Sequence, residues 1–518
     1  MLQKMSRKLA LGALFLTILA LGAFAFVEYQ KARYYGGLTR AVDRAAFIGE
    51  GGPILIENVA ILSEDGATML PSRFVLIRDG KIARIGAARE GLGVPDGAKV
   101  LDGRGKYLIP GLIDSHVHLE RRSNDLLVLL AHGVTYVREM GGSRASLEMR
   151  QATRAGAAGP HMYVASRKIY GDAGFHGIFT AWTRTRINIA DPADADSVAL
   201  RLAEQGYDAI KIGGFTTPEV HRAVLAAAKE RNLDPIGHLH KDSTLKDMLS
   251  SGQRELSHVE EVTKALINEY GGYGPDEGDR FLAYVRRRAD DVARDIREAR
   301  IAVGSSIALM DSIPVQKFAL APALCDLDLR YVDPGQIEGT LLTPGWLSGE
   351  NIYGLAPDEA ADPARSAAVK RWWTTYVEAV RVLAAALSRN GATILAGTDV
   401  GTPILVPGKS LHQELQALVA SGLSARQALH SATAAPGEWL GKPVGRIVPG
   451  YAADLVLLDA DPLVDISHTS RVSDVFVVGR LFRRGDLDRM LAEVAQANQA
   501  ARTVDVAAHC APRAEPES

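Results

Sequence analysis

The two ends of the chain share a pattern of short apolar runs separated by turn residues. Residues 53–112 contain PILIENVAIL, FVLIRDGKIARIG and KYLIP, with Asp79-Gly80 as a typical hairpin turn. The same pattern returns in GYAADLVLLDA (450–460) and VFVVGRLFRR (475–484). Since residues 53–112 show no helical periodicity, the pattern predicts short β-hairpins at both ends that build one small β-domain.

The middle of the chain alternates short apolar runs with helix-like segments such as 218–232 and 243–252. Such alternation indicates βαβ units and a parallel sheet. Counted from GLIDSHVH (111–118), there are close to eight units over roughly 290 residues, which fits a (β/α)8 barrel with insertions. The strand-like runs are VTYVREM (134–140), HMYVASRKI (161–169), DAIKIGG (208–214), LDPIGHLH (233–240), RELSHVEEV (254–262) and ATILAGTD (392–399).

A doubly wound open sheet is the alternative architecture, but no glycine-rich phosphate loop follows the first strand. Residues 264–390 have the least regular pattern, rich in Gly, Pro and charge, and we expect them to cover the barrel mouth. Residues 500–518 are expected to form a disordered tail.

The N-terminus has the pattern of an exported protein. Three cations, Lys4, Arg7 and Lys8, precede the uncharged apolar segment 9–27. This segment just reaches the length needed to cross a bilayer as a helix, while Ala23-Phe24-Ala25 resembles a signal-peptide cleavage site. Residues 1–30 are therefore a signal peptide or a membrane anchor. In either case we expect the body to lie outside the cytoplasm. For an uncleaved anchor this follows from the positive charge on the short N-terminal side.

Composition limits the kinds of site that the chain contains. The formal net charge is −2 and no long basic run occurs, which gives no support for nucleic-acid binding. The two cysteines, Cys325 and Cys510, are too few for a disulfide scaffold or a cysteine-based zinc site. Any metal is therefore held by nitrogen and oxygen ligands.

Nitrogen and oxygen ligands recur where the predicted strands end. In a barrel, catalytic side chains collect at the C-terminal ends of the strands. His116 and His118 are two apart at the end of the first strand, so they point to the same side. A lone strand-end histidine is more often an ordinary polar group, but six residues of metal-binding type at successive strands are unusual. They are His116, His118, Lys211, His238, His258 and Asp399.

Lys211 lies within the apolar run DAIKIGG. A buried lysine is costly unless it is paired or neutral. A neutral amine reacts with carbon dioxide to give a carbamate, which can bridge two cations. A lysine that extends to the rim is the alternative, and the surrounding histidines favour the carbamate.

Several longer motifs resemble the amidohydrolase superfamily, in its imidazolonepropionase-like and prolidase-like branch. The resemblance covers roughly residues 53–485. It implies a distorted TIM (β/α)8 barrel over 113–435 and a small β-sandwich from residues 50–112 and 436–490. The matching motifs are LIPGLIDSHVHLE (108–120), HGVTYVREMGG (132–142), DAIKIGG (208–214), GHLHKD (237–242), SHVEEV (257–262), AGTDVG (396–401), LHQEL (411–415) and ATAAPGEWLGKPVGRIVPGYAADLVLLD (432–459).

The resemblance also implies a binuclear metal centre with a catalytic acid. His116, His118 and Asp399 would bind the more buried ion, and His238 and His258 the more exposed one. Carboxylated Lys211 would bridge two divalent ions, with Zn²⁺ the expected metal. A metal-bridging hydroxide would then attack a C–N bond, with Asp399 as base and acid.

Three further residues are candidates for contact with a small-molecule substrate: His240, Tyr170 and His176. The bond cleaved stays open among a dipeptide, a cyclic amide, an N-acyl amino acid and an ester, as does the formation of a homo-oligomer. Two other function classes also remain. One is a mononuclear deaminase-like enzyme, which would not need Lys211. The other is a catalytically silent interaction module, which would be expected to lose ligands.

Overall fold

The computed structural model describes residues 2–87, 95–172, 174–347, 349 and 351–509, and of residues 2–7 and 9 it describes the backbone alone. Within this part of the chain the strands are β1 (Ile54–Leu62), β2 (Met69–Arg78), β3 (Lys81–Gly86), β4 (Lys99–Asp102), β5 (Tyr107–Pro110), β6 (Leu112–Val117), β7 (Val134–Glu139), β8 (His161–Val164), β9 (Ile169–Tyr170), β10 (Ile187–Asn188), β11 (Ala209–Ile212), β12 (Asp234–Gly237), β13 (Glu255–Leu256), β14 (Ala302–Gly304), β15 (Ile394–Leu395), β16 (Leu455–Leu458), β17 (Val472–Val477) and β18 (Arg480–Arg483).

The α-helices of the same residues are α1 (Leu2–Tyr34), α2 (Asp125–Ala131), α3 (Arg144–Arg154), α4 (Gly174–Thr183), α5 (Ala195–Gln205), α6 (Pro218–Glu230), α7 (Leu245–Ser250), α8 (Val259–Tyr270), α9 (Gly278–Glu298), α10 (Ile307–Phe318), α11 (Leu320–Asp326), α12 (Pro334–Glu338), α13 (Pro357–Ala361), α14 (Pro363–Arg389), α15 (Lys409–Ala420), α16 (Ala425–Ser431), α17 (Ala434–Leu440) and α18 (Arg484–Ala501).

Strands from both ends of the chain form one eight-stranded sheet, in the order β18-β17-β16-β5-β1-β2-β3, with β4 also paired to β1. The two chain ends meet where β5 pairs parallel to β1 and antiparallel to β16, for example at Val456 opposite Ile109. Ile54, Leu55 and Ile56 are all fully buried. Since successive side chains of a strand point to opposite faces, both faces of the sheet are covered at this point.

The central part of the chain forms two parallel sheets, which confirms a mixed α/β fold. One has the order β6-β7-β8 and the other β10-β9-β11-β12-β13-β14-β15. They adjoin at two parallel bridges, Val117 with Val400 and Ala165 with Ala209. The carboxyl ends of parallel strands share one edge of a sheet, so the loops after these strands lie together.

Residues 264–390 are mostly helical and contribute strand β14, which the irregular sequence pattern did not predict. In α9 the buried residues Phe281, Val285, Ala289, Val292 and Ile296 follow each other at three or four positions. This spacing forms one apolar stripe, and α9 packs with it against α14. Residues 264–390 therefore contribute packed helices to the core of the fold.

The N-terminal helix α1 extends from the body. Its segment Ala10–Tyr34 is long and apolar enough to cross a membrane, with 6% of its most apolar window buried, and a signal sequence has the same properties. Its end is held by the body: the Arg33 guanidinium is 2.8 Å from the Glu338 carboxylate, and Gln30 Oε1 accepts the Leu341 amide.

The C-terminal segment corrects one expectation. Residues 500–509 do not form a loose tail, because α18 continues to Ala501 and the Thr503 amide donates to Glu338 Oε1 at 2.7 Å. Val506 is buried in a small apolar cluster. The remainder of the predicted tail, residues 510–518, lies outside the described residues.

Candidate metal centre

The six predicted ligands follow five parallel strands. His116 is in β6 and His118 just beyond it, Lys211 is in β11, and His238 follows β12 directly. His258 comes two residues after β13, and Asp399 four residues after β15. These strands are short and parallel, so their ends bring the polar side chains to the common edge.

Three of these side chains converge closely. Asp399 Oδ1 lies 3.1 Å from His116 Nε2 and 3.0 Å from His118 Nε2, and the two Nε2 atoms are 3.4 Å apart. His116, His258 and Asp399 each place one ligand atom within 4.8 Å of the others, a grouping able to hold a metal ion. Buried Asp399 Oδ1 makes no hydrogen bond among the described residues. A cation would satisfy this oxygen.

The backbone around Asp399 is fixed by the first strand. The Asp399 amide donates to the His116 carbonyl and the His118 amide to the Val400 carbonyl, both at 2.8 Å. Buried Asp114 accepts the Thr398 amide at 3.0 Å and the Thr398 hydroxyl at 2.7 Å. These bonds hold Asp399 at φ +59°, a region that non-glycine residues rarely occupy.

The other two histidines lie beside the first group. The His258 ring stacks on the His116 ring with centroids 4.6 Å apart, and the His238 ring is 5.3 Å from that of His258. Gly237, just before His238, has φ +132°, and a Cβ there would approach the Ile212 carbonyl oxygen to 2.3 Å. Only glycine allows the chain to place His238 at this position.

Hydrogen bonds orient the imidazoles. His238 Nδ1 lies 3.0 Å from the Glu261 carboxylate, and His258 Nδ1 lies 3.0 Å from Ser306 Oγ, which donates to the Gly397 carbonyl. His116 Nδ1 faces the Ser257 carbonyl at 3.4 Å. Since each Nδ1 faces an acceptor, it carries the ring proton, and Nε2 keeps its lone pair.

The protonation of these groups also suits a cation. Burial lowers the pKa of His118 and of His238 to about 4 and the pKa of His116 and His258 well below the usual range. All four rings are therefore neutral at pH 7. Neutral imidazoles that converge on a carboxylate oxygen form a donor set that fits a metal ion.

Lys211 is completely buried and points into the same group. Its Nζ lies 3.4 Å from His116 Nε2 and donates to Ser257 Oγ. Burial, with a smaller contribution from the nearby Lys168 cation, lowers the pKa of Lys211 to about 7. The amine is thus partly neutral at pH 7, the condition for reaction with carbon dioxide. Had Lys211 pointed outward, a shared bridging group would have had no place.

A family comparison identifies the fold that holds this centre. Residues 107–482 match the model of the amidohydrolase family. This is most of the chain. The protein belongs to the amidohydrolase family.

The relatives of this amidohydrolase agree with that assignment and with hydrolysis of carbon–nitrogen bonds. It is 25% identical to an imidazolonepropionase of Streptomyces griseus subsp. griseus over 79% of this chain and 93% of the relative. Among solved structures, bottromycin amidohydrolase has a TM-score of 0.65 at 22% identity, covering 90% of this chain and 96% of that one. A Xaa-Pro dipeptidase has a TM-score of 0.60 at 18% identity, covering 83% and 100%. These two structures show the fold alone.

A cavity of about 320 Å³ opens beside His238 of this amidohydrolase. It is lined by predicted contact residues His240 and Tyr170 and by Phe215 and Lys168. A second cavity, of about 210 Å³, is lined by His118, Tyr170 and Lys168. The third candidate, His176, lies exposed on α4 and is not among the residues that line either cavity, so its contact with substrate stays a prediction.

The sequence did not predict the residues that hold the ligands of this amidohydrolase. Glu261 accepts from both His238 Nδ1 and the Leu239 amide, and Ser306 meets His258. Although burial opposes its ionisation, Lys264 and His238 hold the pKa of Glu261 below the usual range. The second acid of SHVEEV was the one available signal for Glu261. Ser306 follows the unpredicted strand β14.

Proposed function

We propose that this amidohydrolase is a binuclear metal-dependent hydrolase that cleaves the C–N bond of an amide, cyclic amide, N-acyl amino acid or dipeptide. The convergence of neutral imidazole lone pairs on Asp399 and Lys211 is the observation that supports it most directly. We further propose that the two parallel sheets form a distorted (β/α)8 barrel and the eight-stranded sheet a β-sandwich.

The proposed ligands divide into two sets. His116, His118 and Asp399 would hold the more buried ion, and His238 and His258 the more exposed one. Lys211 as a carbamate would hold both, since its Nζ is beside His116 and its pKa of about 7 provides the neutral amine. Two divalent ions, with Zn²⁺ expected, supply Lewis-acid polarisation of the substrate carbonyl and acidify water.

Asp399 is the proposed acid and base. Water adds to the amide carbon, the C–N bond breaks, and the water proton is transferred to the leaving nitrogen. The Asp399 carboxylate accepts that proton and then donates it to the nitrogen. The buried position of Asp399 excludes competing solvent. Tyr170 and His240, which line the adjacent cavity, would orient the substrate.

The proposed location is outside the cytoplasm. The apolar segment 9–27, which follows three cations, would direct export, and α1 would then anchor the body to the membrane. The site, on the body beyond α1, would therefore act on extracytoplasmic substrates.

Metal analysis of the purified full chain tests the proposal. Two metal ions per chain with bicarbonate present support the binuclear hydrolase. One ion that does not depend on bicarbonate favours the mononuclear deaminase-like alternative, and none favours a silent interaction module. In parallel, a hydrolysis screen of dipeptides, N-acyl amino acids, lactams and lactones would identify the substrate class. Asp399→Asn is the control, since turnover that it leaves unchanged cannot come from this site.

A further inference from the structure

Helix α4 exposes a row of apolar side chains that the proposed chemistry does not use. Phe175, Ile178, Phe179 and Trp182 occupy positions i, i+3, i+4 and i+7, so they lie on one helix face. Phe175 is 79% exposed, Ile178 68% and Phe179 44%. Three large apolar side chains this exposed and adjacent are typical of an interaction surface.

This aromatic face of α4 continues onto the candidate membrane span. Phe175 stacks on Phe179 with centroids 6.1 Å apart, and Phe179 meets Trp182 edge-on at 6.2 Å. Trp182 in turn stacks on Phe24 of α1 at 5.7 Å. Four rings therefore form one continuous row from α4 to the span.

Polar groups mark where the apolar span ends. The Trp182 Nε1–H donates to Glu28 at 3.1 Å, and Glu28 also pairs with Lys31 at 2.8 Å. On the N-terminal side of Glu28, α1 exposes large apolar side chains such as Leu21 and Phe24. Tryptophan is enriched at the level where bilayer hydrocarbon meets water, and Trp182 lies at the corresponding point of this structure.

We propose that the aromatic face of α4 inserts into the bilayer surface beside α1 and forms a second membrane contact. A short helix with an uncharged aromatic face is suited to this position. Exposed Arg184 follows the helix directly and would meet anionic lipid headgroups. The inference rests on the proposed anchoring by α1.

The insertion would place the substrate cavity next to the membrane. Helix α4 connects β9, which ends in Tyr170, with β10. The Arg186 guanidinium lies over the Tyr170 ring at 3.9 Å, and both residues line the cavity that reaches His118. The access side of the site would thus face the lipid surface.

Depth-dependent fluorescence quenching tests the proposal on the full chain with α1 retained. In a Cys325→Ser, Cys510→Ser background, Ile178→Cys is labelled with an environment-sensitive fluorophore and reconstituted in vesicles of phosphatidylcholine and phosphatidylglycerol. We expect a several-fold loss of fluorescence with a doxyl group at lipid carbon 5, and a smaller loss at carbon 12. A Val464→Cys label, on a residue that is 79% exposed between β16 and β17, should lose little.

Three results would overturn the proposal. One is an Ile178→Cys label that aqueous iodide quenches and doxyl lipids do not. Another is energy transfer between labels on two copies without lipid quenching, since a second copy would then cover the face. The last is equal lipid quenching at Val464→Cys. Because no substrate is used, a failed hydrolysis assay leaves this measurement unaffected, and the reverse also holds.

Discussion

Lys211→Met provides the sharpest test of the metal centre. Lys211 has no exposed surface, and burial lowers its pKa to about 7. Methionine keeps an unbranched chain in the same space but has no amine to ionise or to carboxylate. The substitution therefore removes the proposed bridging group without opening a large cavity.

The size of the effect follows from the pKa difference between the folded and unfolded chain. The folded pKa is about 7, whereas an unfolded lysine has a pKa of about 10.4. At pH 7 the unfolded lysine is protonated and the folded one only half so, which destabilises the metal-free protein by about 4 kcal/mol. Lys211→Met removes that cost. The gain shrinks as the pH rises toward about 10, because the unfolded lysine then also loses its proton.

Thermal unfolding of the metal-free, detergent-solubilised proteins measures this gain. At about 2.1 cal/mol/K per residue over 518 residues, 4 kcal/mol corresponds to a midpoint rise of about 4 °C at pH 7. Metal content after reconstitution with Zn²⁺, with and without bicarbonate, is the second measurement. We expect the wild type to bind two ions when bicarbonate is present. Lys211→Met should bind fewer ions, and its metal content should not depend on bicarbonate.

A matched variant separates this effect from general changes at the site. Lys168 is a half-buried lysine that lines both cavities. Lys168→Met should leave the metal content unchanged and should raise the unfolding midpoint less than Lys211→Met, because it removes only the smaller charge repulsion and not the burial of Lys211. Two ions in Lys211→Met, or a lower midpoint than wild type at pH 7, would refute the reasoning.

Three other substitutions test separate parts of the structure. Asp399→Asn should keep most of the metal and lower kcat by about 10²–10⁴-fold, and an effect on KM alone would contradict its proton-transfer role. Burial lowers the pKa of His412 to about 3, against about 6.5 when unfolded. As the pH falls from about 6.5 to about 3, the free energy of unfolding should decrease by about 1.4 kcal/mol per pH unit more in the wild type than in His412→Gln. Equal pH slopes of the two proteins in urea titrations would contradict this. Glu255→Gln breaks a buried pair with Arg138 and should cost about 3 kcal/mol. Arg138→Met in the same chain should restore part of it.

The sequence predicted the orientation and burial of candidate ligands where neighbouring residues determine them. The i, i+2 spacing of His116 and His118 places their Nε2 atoms 3.4 Å apart. Lys211, in an apolar run, is fully buried as its neighbours indicate. Such predictions succeed because strand geometry determines which side chains share a face.

Features that depend on partners distant in sequence were not predicted. Nothing near His258 identifies Ser306 as its Nδ1 partner, since the two meet only when β13 and β14 pair. The three residues of β14 are too few to show an alternating pattern. The apolar residues of α9 recur at helical spacing in the sequence, but the many charged residues between them make the stripe hard to recognise.

The two proposed ion positions differ in what fixes their ligands. His116 and Asp399 are held by backbone hydrogen bonds between the first strand and residues 398–400. The His238 amide likewise donates to a strand carbonyl, that of Ile212, at 2.9 Å, but the His238 ring is oriented by Glu261 of α8, which also pairs with Lys264 at the cavity wall. A strand register changes only in steps of whole residues, whereas a packed helix, with the acid it carries, can move by smaller distances. Substrate that enters the cavity beside His238 would therefore first meet the proposed ion position whose histidine ring is oriented from a helix.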